Sequence, residues 1–250
     1  MHTIATDSTI LRAPLVARLE RLVDLTDGER EYLQHIQSDF TKVHDGNDIV
    51  SAGHTYRCFY ILNRGMAIRY KVLHDGRRQI LNLILPGDLI GYPGCLFDYS
   101  LYSIASLGEV IVCSVPHDDI LTLFRRQPRL GAALFWLVGH EATMFAEHLV
   151  GVGRQTAYER VAHLLLELLV RLQAVGLADE RSYCLPLTQE QMADTLGLSA
   201  PHVNRTLRRL RDDGLITLDG ANLTCIDVAT LSRLADFKGA TLARRRIPGL

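Results

Sequence analysis

The chain has 250 residues, of which 48% are hydrophobic and 22% charged, with a formal net charge of −1. This is the composition of a globular protein with room for one large or two modest domains, and its near-neutral balance excludes a wholly basic nucleic-acid coat. No stretch approaches the ~18 apolar residues of a membrane span, and the opening MHTIATDSTILRAP has no basic segment before a long apolar core, so no secretory leader is predicted.

Residues 1 to about 10 read as a loose tail. From Pro14 to Gln37 the apolar residues Leu15, Leu19, Leu22, Val23, Tyr32, Leu33 and Ile36 follow a helical period. From Phe40 the period changes to short runs (FYILNRG, MAIRYKVLHDG, RRQILNLILPGDLIG and EVIVCSVP) punctuated by glycines at 46, 53, 65, 76, 87, 91 and 94. Short strands divided by glycine turns describe an antiparallel sandwich or barrel.

A long helix is predicted after Pro128. Phe135, Val138, Ala142, Phe145, Leu149 and Val152 recur at alternating steps of three and four, the a/d seam of a coiled coil. Leu134, Leu137 and Met144 make a neighbouring stripe directed at the β domain. A helix with two apolar stripes needs two partners, and the second is predicted to be another copy of the same helix, giving a parallel homodimer. Gly151 and Gly153 mark the helix end and a hinge. Thr156 to Ala174 then reads as a helix burying Val161, Leu164, Leu165, Leu168 and Leu172.

The stretch TQEQMADTLGLSAPHVNRTLRRLR, from Thr188 to Arg211, has the form of a helix-turn-helix. Thr188 and Gln191 fit a capping box, and Gly197 fits a left-handed turn. Ser199 fits an N-cap, with Pro201 in the first turn of the second helix. Val203, Leu207 and Leu210 share one face of that helix, opposite His202, Asn204, Arg205, Arg208, Arg209 and Arg211. Between Ser199 and Arg211 stand four arginines and no acid, a basic face suited to a DNA major groove. The strands GLITL and NLTCI, turning at Asp219-Gly220, add a β-hairpin wing.

A β-roll, a dimer helix and a winged helix in this order resemble the Crp/Fnr transcription regulators. The most specific carriers are LTQEQMADTLGLSAPHVNRTLRRLRDDGLI and the glycines at 53, 65, 76, 87 and 91. The resemblance implies an α+β chain: a β-roll sensor over 1–127, a dimerisation helix over 128–155 and a winged helix-turn-helix over 156–250. It also implies a cytoplasmic homodimer that regulates transcription on a twofold-symmetric operator, contacts RNA polymerase, has no membrane partner, and answers to an unidentified small-molecule signal in the roll. The DNA-facing set it implies is Ser199, Ala200, His202, Asn204, Arg205, Arg208 and Arg209.

The effector pocket would draw on Gly91, Tyr92, Tyr102, Ser103 and Phe145. Cyclic-AMP-binding members have Glu after the glycine and Arg before the serine, where this chain has Tyr92 and Tyr102. Phe145 and Ala146 stand where the dimer helix would offer hydroxyls to the adenine. Desolvating a cyclic phosphate without a cation is costly, so cyclic-nucleotide binding is not expected. In the recognition helix the usual Glu is Pro201, whereas the usual Arg is kept as Arg205. Asn204 and Arg205 suit adenine and guanine by bidentate geometry.

The cysteines at 58, 95, 113, 184 and 225 form no C-x-x-C and read as small buried hydrophobes in a reducing cytoplasm. Residues 1 to 40 carry none, unlike the cluster of the oxygen-sensing branch. No cofactor or metal is predicted. Haem would need an axial ligand, for which His44, His54, His74, Cys58 and Cys95 qualify by type alone. A cupin-like metal enzyme is the rival reading from another class, but the histidines lack its His-x-His spacing. A non-DNA interaction module is the third, and the four-arginine face argues against it.

Overall fold

The computed structural model describes residues 8–55, 58–91, 99–239 and 247. Two compact units emerge: one holds nearly all residues up to Gly139, and the other runs from His140 onward.

The helical stretch expected from Pro14 to Gln37 is two helices, α1 (Ser8–Leu19) and α2 (Asp27–Ile36). Thr26 starts the second. Its hydroxyl accepts from Glu29 N at 3.2 Å and its own N–H donates to Glu29 Oε2 at 2.8 Å, a reciprocal capping box. Six strands follow: β1 (Asp39–Val43), β2 (Asp48–Val50), β3 (Cys58–Val72), β4 (Arg78–Ile84), β5 (Leu89–Ile90) and β6 (Ser103–Pro116). They form an antiparallel roll in the order β1-β6-β3-β4, with β2 on β6 and β5 on β3.

The long strands β3 and β6 are covered on both faces, which is why their sequences read as near-continuous apolar runs. Leu62, Val110 and Val112 point into the roll with Val50, Ala67, Ile84, Ile90 and Ile104. Ile61 and Cys113, which adjoin Leu62 and Val112, point the other way together with Val115, against Leu15, Leu19, Leu33 and Leu123. Alternation at period two thus builds two cores from one pair of strands.

Gly65, expected at a turn, lies inside β3. FYILN and MAIRYKV are one strand, and Gly65 (φ +83°) sits where the pairing with β6 shifts register. A Cβ there would stand 2.6 Å from Glu109 O and 2.9 Å from Val110 Cγ1. Gly65→Ala combines a left-handed backbone with a clash against the neighbouring strand, so it should destabilise the roll by about 2–4 kcal/mol in urea unfolding. A loss under about 0.5 kcal/mol, within the range of ordinary surface substitutions, would show that the bulge relaxes.

Helix α3 (His117–Arg126), not foreseen from the sequence, leads into the 27-residue α4 (Pro128–Arg154). Leu130, Ala133, Leu134 and Leu137 bury one stripe of α4 in the roll's outer core. Met144 departs from the expected stripe: it lies in the second unit, lining a cleft with His163 and Phe237. Gly151 and Gly153 do not end the helix, which continues through both to Arg154.

The second unit contains α5 (Ala157–Ala174), β7 (Ser182–Cys184), α6 (Gln189–Leu196), α7 (Ala200–Asp212), β8 (Ile216–Asp219), β9 (Asn222–Cys225) and α8 (Val228–Leu234). Val161, Leu164, Leu165, Leu168 and Leu172 are all buried, as the pattern of α5 predicts. Inside this unit α4 and α5 share a buried ionic cluster. His148 Nε2 lies 2.6 Å from Glu167 Oε2, and Arg171 Nη1 donates to Glu167 Oε1 at 3.1 Å. Burial pushes the Glu167 carboxyl up, but contact with His148 and the charge of Arg171 outweigh it and hold it at about 2.

Candidate nucleic-acid interface

The turn between α6 and α7 is built as its sequence indicates. Thr188 Oγ1 accepts from Gln191 N at 3.2 Å, and Thr188 N donates to Gln191 Oε1 at 2.9 Å. Gly197 closes α6 in the left-handed region (φ 64°, ψ 37°), and its N–H reaches back to Ala193 O. Arg160 of α5 adds a tie that no local pattern announces. Its Nη1 donates to Leu196 O at 2.8 Å and its Nε to Gln155 O at 3.1 Å, placing a cation at the C-terminal end of α6, where the helix dipole favours it.

Helix α7 packs on α5 and α6 through Val203, Thr206, Leu207 and Leu210, all buried. Thr206 fits the apolar face because its hydroxyl donates to His202 O at 2.9 Å. Ser199 occupies the N-cap position with an extended backbone, yet its hydroxyl makes no cap bond. An N-cap oxygen bonds the N–H of the second or third helical residue. The second is Pro201, which has none, and the N–H of the third, His202, is engaged with Ser199 O at 2.9 Å. The Ser199 hydroxyl is therefore left without a cap bond on an exposed residue at the helix start, where the positive end of the helix dipole favours an anion.

His202, Asn204, Arg205, Arg208, Arg209 and Arg211 are all exposed, and Ala200 is half-buried beside them. Their states differ. Arg205 and Arg211 make no ion pair or side-chain hydrogen bond among the described residues, whereas Arg208 faces Asp212 at 3.9 Å and Arg209 faces Asp213 at 3.7 Å. Asn204 Nδ2 donates to Gln189 Oε1 at 2.9 Å, so bidentate reading of adenine would require Asn204 to release Gln189.

The wing is a three-stranded sheet, β7-β9-β8. Asp219 still pairs with Asn222, so the two-residue turn is Gly220-Ala221, one position later than expected, with Gly220 at φ +58°. Strand β7 was invisible in the sequence because it is three residues long and gains its order only from pairing with β9.

In the roll, Gly91 is buried with φ +87°, and Tyr102 is half-buried. The Ser103 hydroxyl accepts from Ala52 N at 3.0 Å, a structural tie. Tyr92 and Cys95 lie outside the described residues, and Phe145 belongs to the second unit. The residue missed here is Arg69 of β3. It is 1% exposed, and its guanidinium carbon sits 4.8 Å from the Tyr102 ring centroid. A cation is thus present in the roll, supplied by a strand rather than by the cassette position that Tyr102 occupies. Among the described residues no group of three or more His, Cys, Asp or Glu is placed to hold a metal ion. Also among them, no helix is long and apolar enough to cross a membrane.

Comparison with known proteins agrees with this architecture. Residues 40–127 match the cyclic nucleotide-binding domain family, and residues 159–234 match the Crp-like helix-turn-helix domain family. The nitrogen fixation regulation protein FixK of Bradyrhizobium diazoefficiens is 32% identical over 190 residues, covering 76% of this chain and 79% of FixK. The transcriptional activator protein FnrL of Cereibacter sphaeroides is 32% identical over 159 residues, covering 62% of this chain and 63% of FnrL, just under two thirds of its length. The structure of FixK2 from Bradyrhizobium japonicum superposes with a TM-score of 0.70 at 26% identity, covering 78% of this chain and 96% of FixK2. Neither an enzyme nor a cupin-like reading gains support, and the chain belongs to the Crp/Fnr family of DNA-binding transcription regulators.

Proposed function

We propose that this regulator acts in the cytoplasm as a homodimer, with two α7 helices entering successive major grooves of a palindromic operator, half-sites ~10 base pairs apart. The observation that carries the reading is the exposed basic face of α7, aimed outward by the Arg160-braced turn and the buried Val203, Leu207 and Leu210. The apolar seam of α4 supports the dimer: Phe135, Leu149 and Val152 are exposed in the single chain, at 71%, 74% and 47%. Contact with RNA polymerase, and a small-molecule signal acting through the roll, complete the proposal by family resemblance. No resident cofactor is part of it.

Arg205 is assigned to base reading and the Ser199 hydroxyl to a backbone phosphate. Arg205 has no competing partner among the described residues and lies two turns or less from the N-terminus of α7, the end that faces base edges. Arg205→Ala should weaken operator binding by roughly 1–3 kcal/mol and flatten preference at one base pair per half-site. Binding to a panel of single-base operator variants measures this. An unchanged preference profile would remove Arg205 from the base-reading set, and selection from a random DNA pool that recovered sites without twofold symmetry would contradict the dimer itself.

A further inference from the structure

Three side chains from two elements meet at the C-terminal end of α7. Tyr158, in the first turn of α5, donates its phenol proton to Asp213 Oδ2 at 2.5 Å. The Arg209 guanidinium carbon lies 4.4 Å from the centroid of the Tyr158 ring. Arg209 Nε faces Asp213 Oδ2 at 3.7 Å. The Arg209 side chain is nevertheless 69% exposed, and it makes no hydrogen bond among the described residues.

An exposed arginine ordinarily samples many rotamers, and ordering it against a phosphate opposes binding. Here the guanidinium is laid over an aromatic face before DNA arrives, while the side chain as a whole stays open to solvent. Resting on the DNA-binding reading above, we propose that Tyr158 is a positioning residue for DNA binding: its ring holds Arg209 in place for a backbone phosphate beyond the base-reading end of α7. The phenol keeps its proton throughout the working pH range, because burial and the Asp213 carboxylate push it up to about 12 against the opposing pull of Arg209. The donated hydrogen bond also occupies Asp213 and limits its hold on Arg209, whose 3.7 Å pair is exposed and contributes little.

The ring and the arginine form a surface independent of Arg205, so the effect should be blind to base sequence. The test uses the full-length protein, a selected operator and random duplex DNA, each titrated over a range of salt. Tyr158→Leu should weaken binding to both DNAs by about three- to tenfold and leave the salt slope near that of the wild type, because Arg209 still reaches the phosphate once ordered. Arg209→Ala should weaken both and lower the slope by roughly 0.9 for each phosphate that the protein no longer neutralises. In the Arg209→Ala background, Tyr158→Leu should have no further effect. Tyr158→Phe, which keeps the ring, should bind within about twofold of the wild type.

Weakening by Tyr158→Leu that persists without Arg209 would make the residue a mere brace between α5 and α7 and overturn the proposal. So would tighter binding by Tyr158→Leu, which would mean that the ring and Asp213 sequester Arg209, or a Phe variant as weak as Leu. If the wild type itself shows no salt-dependent binding to either DNA, the DNA-binding reading fails first, whatever the variants do.

Discussion

Leu149→Glu should leave the chain folded but monomeric. Leu149 is 74% exposed in the single chain, so the carboxylate meets water and the protomer loses almost nothing. In the proposed dimer a twofold axis brings the same residue into the interface twice, and the a/d seam would place each copy near its mate. Each Leu withdrawn from that seam removes about 1.5–3 kcal/mol of burial, and the paired carboxylates add desolvation and repulsion. A total near 5 kcal/mol raises the dimer dissociation constant by about three to four powers of ten. Operator affinity should fall by more than about a hundredfold, because each half-site is then bound without the high local concentration that linkage supplies. Sedimentation equilibrium measures the assembly, a duplex titration the affinity, and thermal unfolding confirms the fold. A variant that stays dimeric at micromolar concentration would move the interface off this stripe of α4.

The exposed apolar positions Phe135, Leu149 and Val152 of α4 were legible because their spacing along one helix is a one-dimensional pattern. The same holds for the turn at Gly197 and the Thr188 capping box, where every partner lies within a few residues. What the sequence did not display are ties between distant residues. Arg160 reads as one more charge on α5, and only the fold carries it to the Leu196 carbonyl. Asn204 reads as a free base reader until Gln189 is seen beside it, and Arg209 as a solvated charge until Tyr158 lies beneath it.

In the roll, two local signals misled for physical reasons. Glycine punctuation suggested a turn at Gly65, but a left-handed glycine also makes a bulge inside a continuous strand, and only pairing with β6 separates the two. Nothing local marks Arg69 as buried, because a charged residue in a strand ordinarily faces water. It is buried instead, with its guanidinium over the ring of Tyr102, the residue just before β6. Short elements such as β7 and α8 carry too few residues for any periodicity to register.

Glu167→Gln should destabilise the second unit by about 3–5 kcal/mol, the cost of breaking a buried ion pair from one side. Glu167 is 2% and Arg171 8% exposed, and the carboxylate links Arg171 to His148 across α5 and α4. Gln keeps the volume and one acceptor oxygen, so the effect reports charge rather than packing. The pH dependence gives an independent check. The Glu167 carboxyl is held at about 2, below its ordinary value of 4.5. A carboxyl depressed on folding contributes stability that is complete above the unfolded value and is lost as pH falls toward the folded one. For this shift the contribution is about 3 kcal/mol, of which roughly 2 kcal/mol should have gone by pH 3. The gap between wild type and Glu167→Gln, measured by urea unfolding, should therefore be widest at pH 6 and narrow steadily from about pH 4.5 to pH 3. A gap that widened instead as pH fell through that window would mean the buried carboxyl carries no charge in the native protein. Arg171 would then be balanced from elsewhere, and the His148 contact would be a neutral hydrogen bond rather than an ion pair.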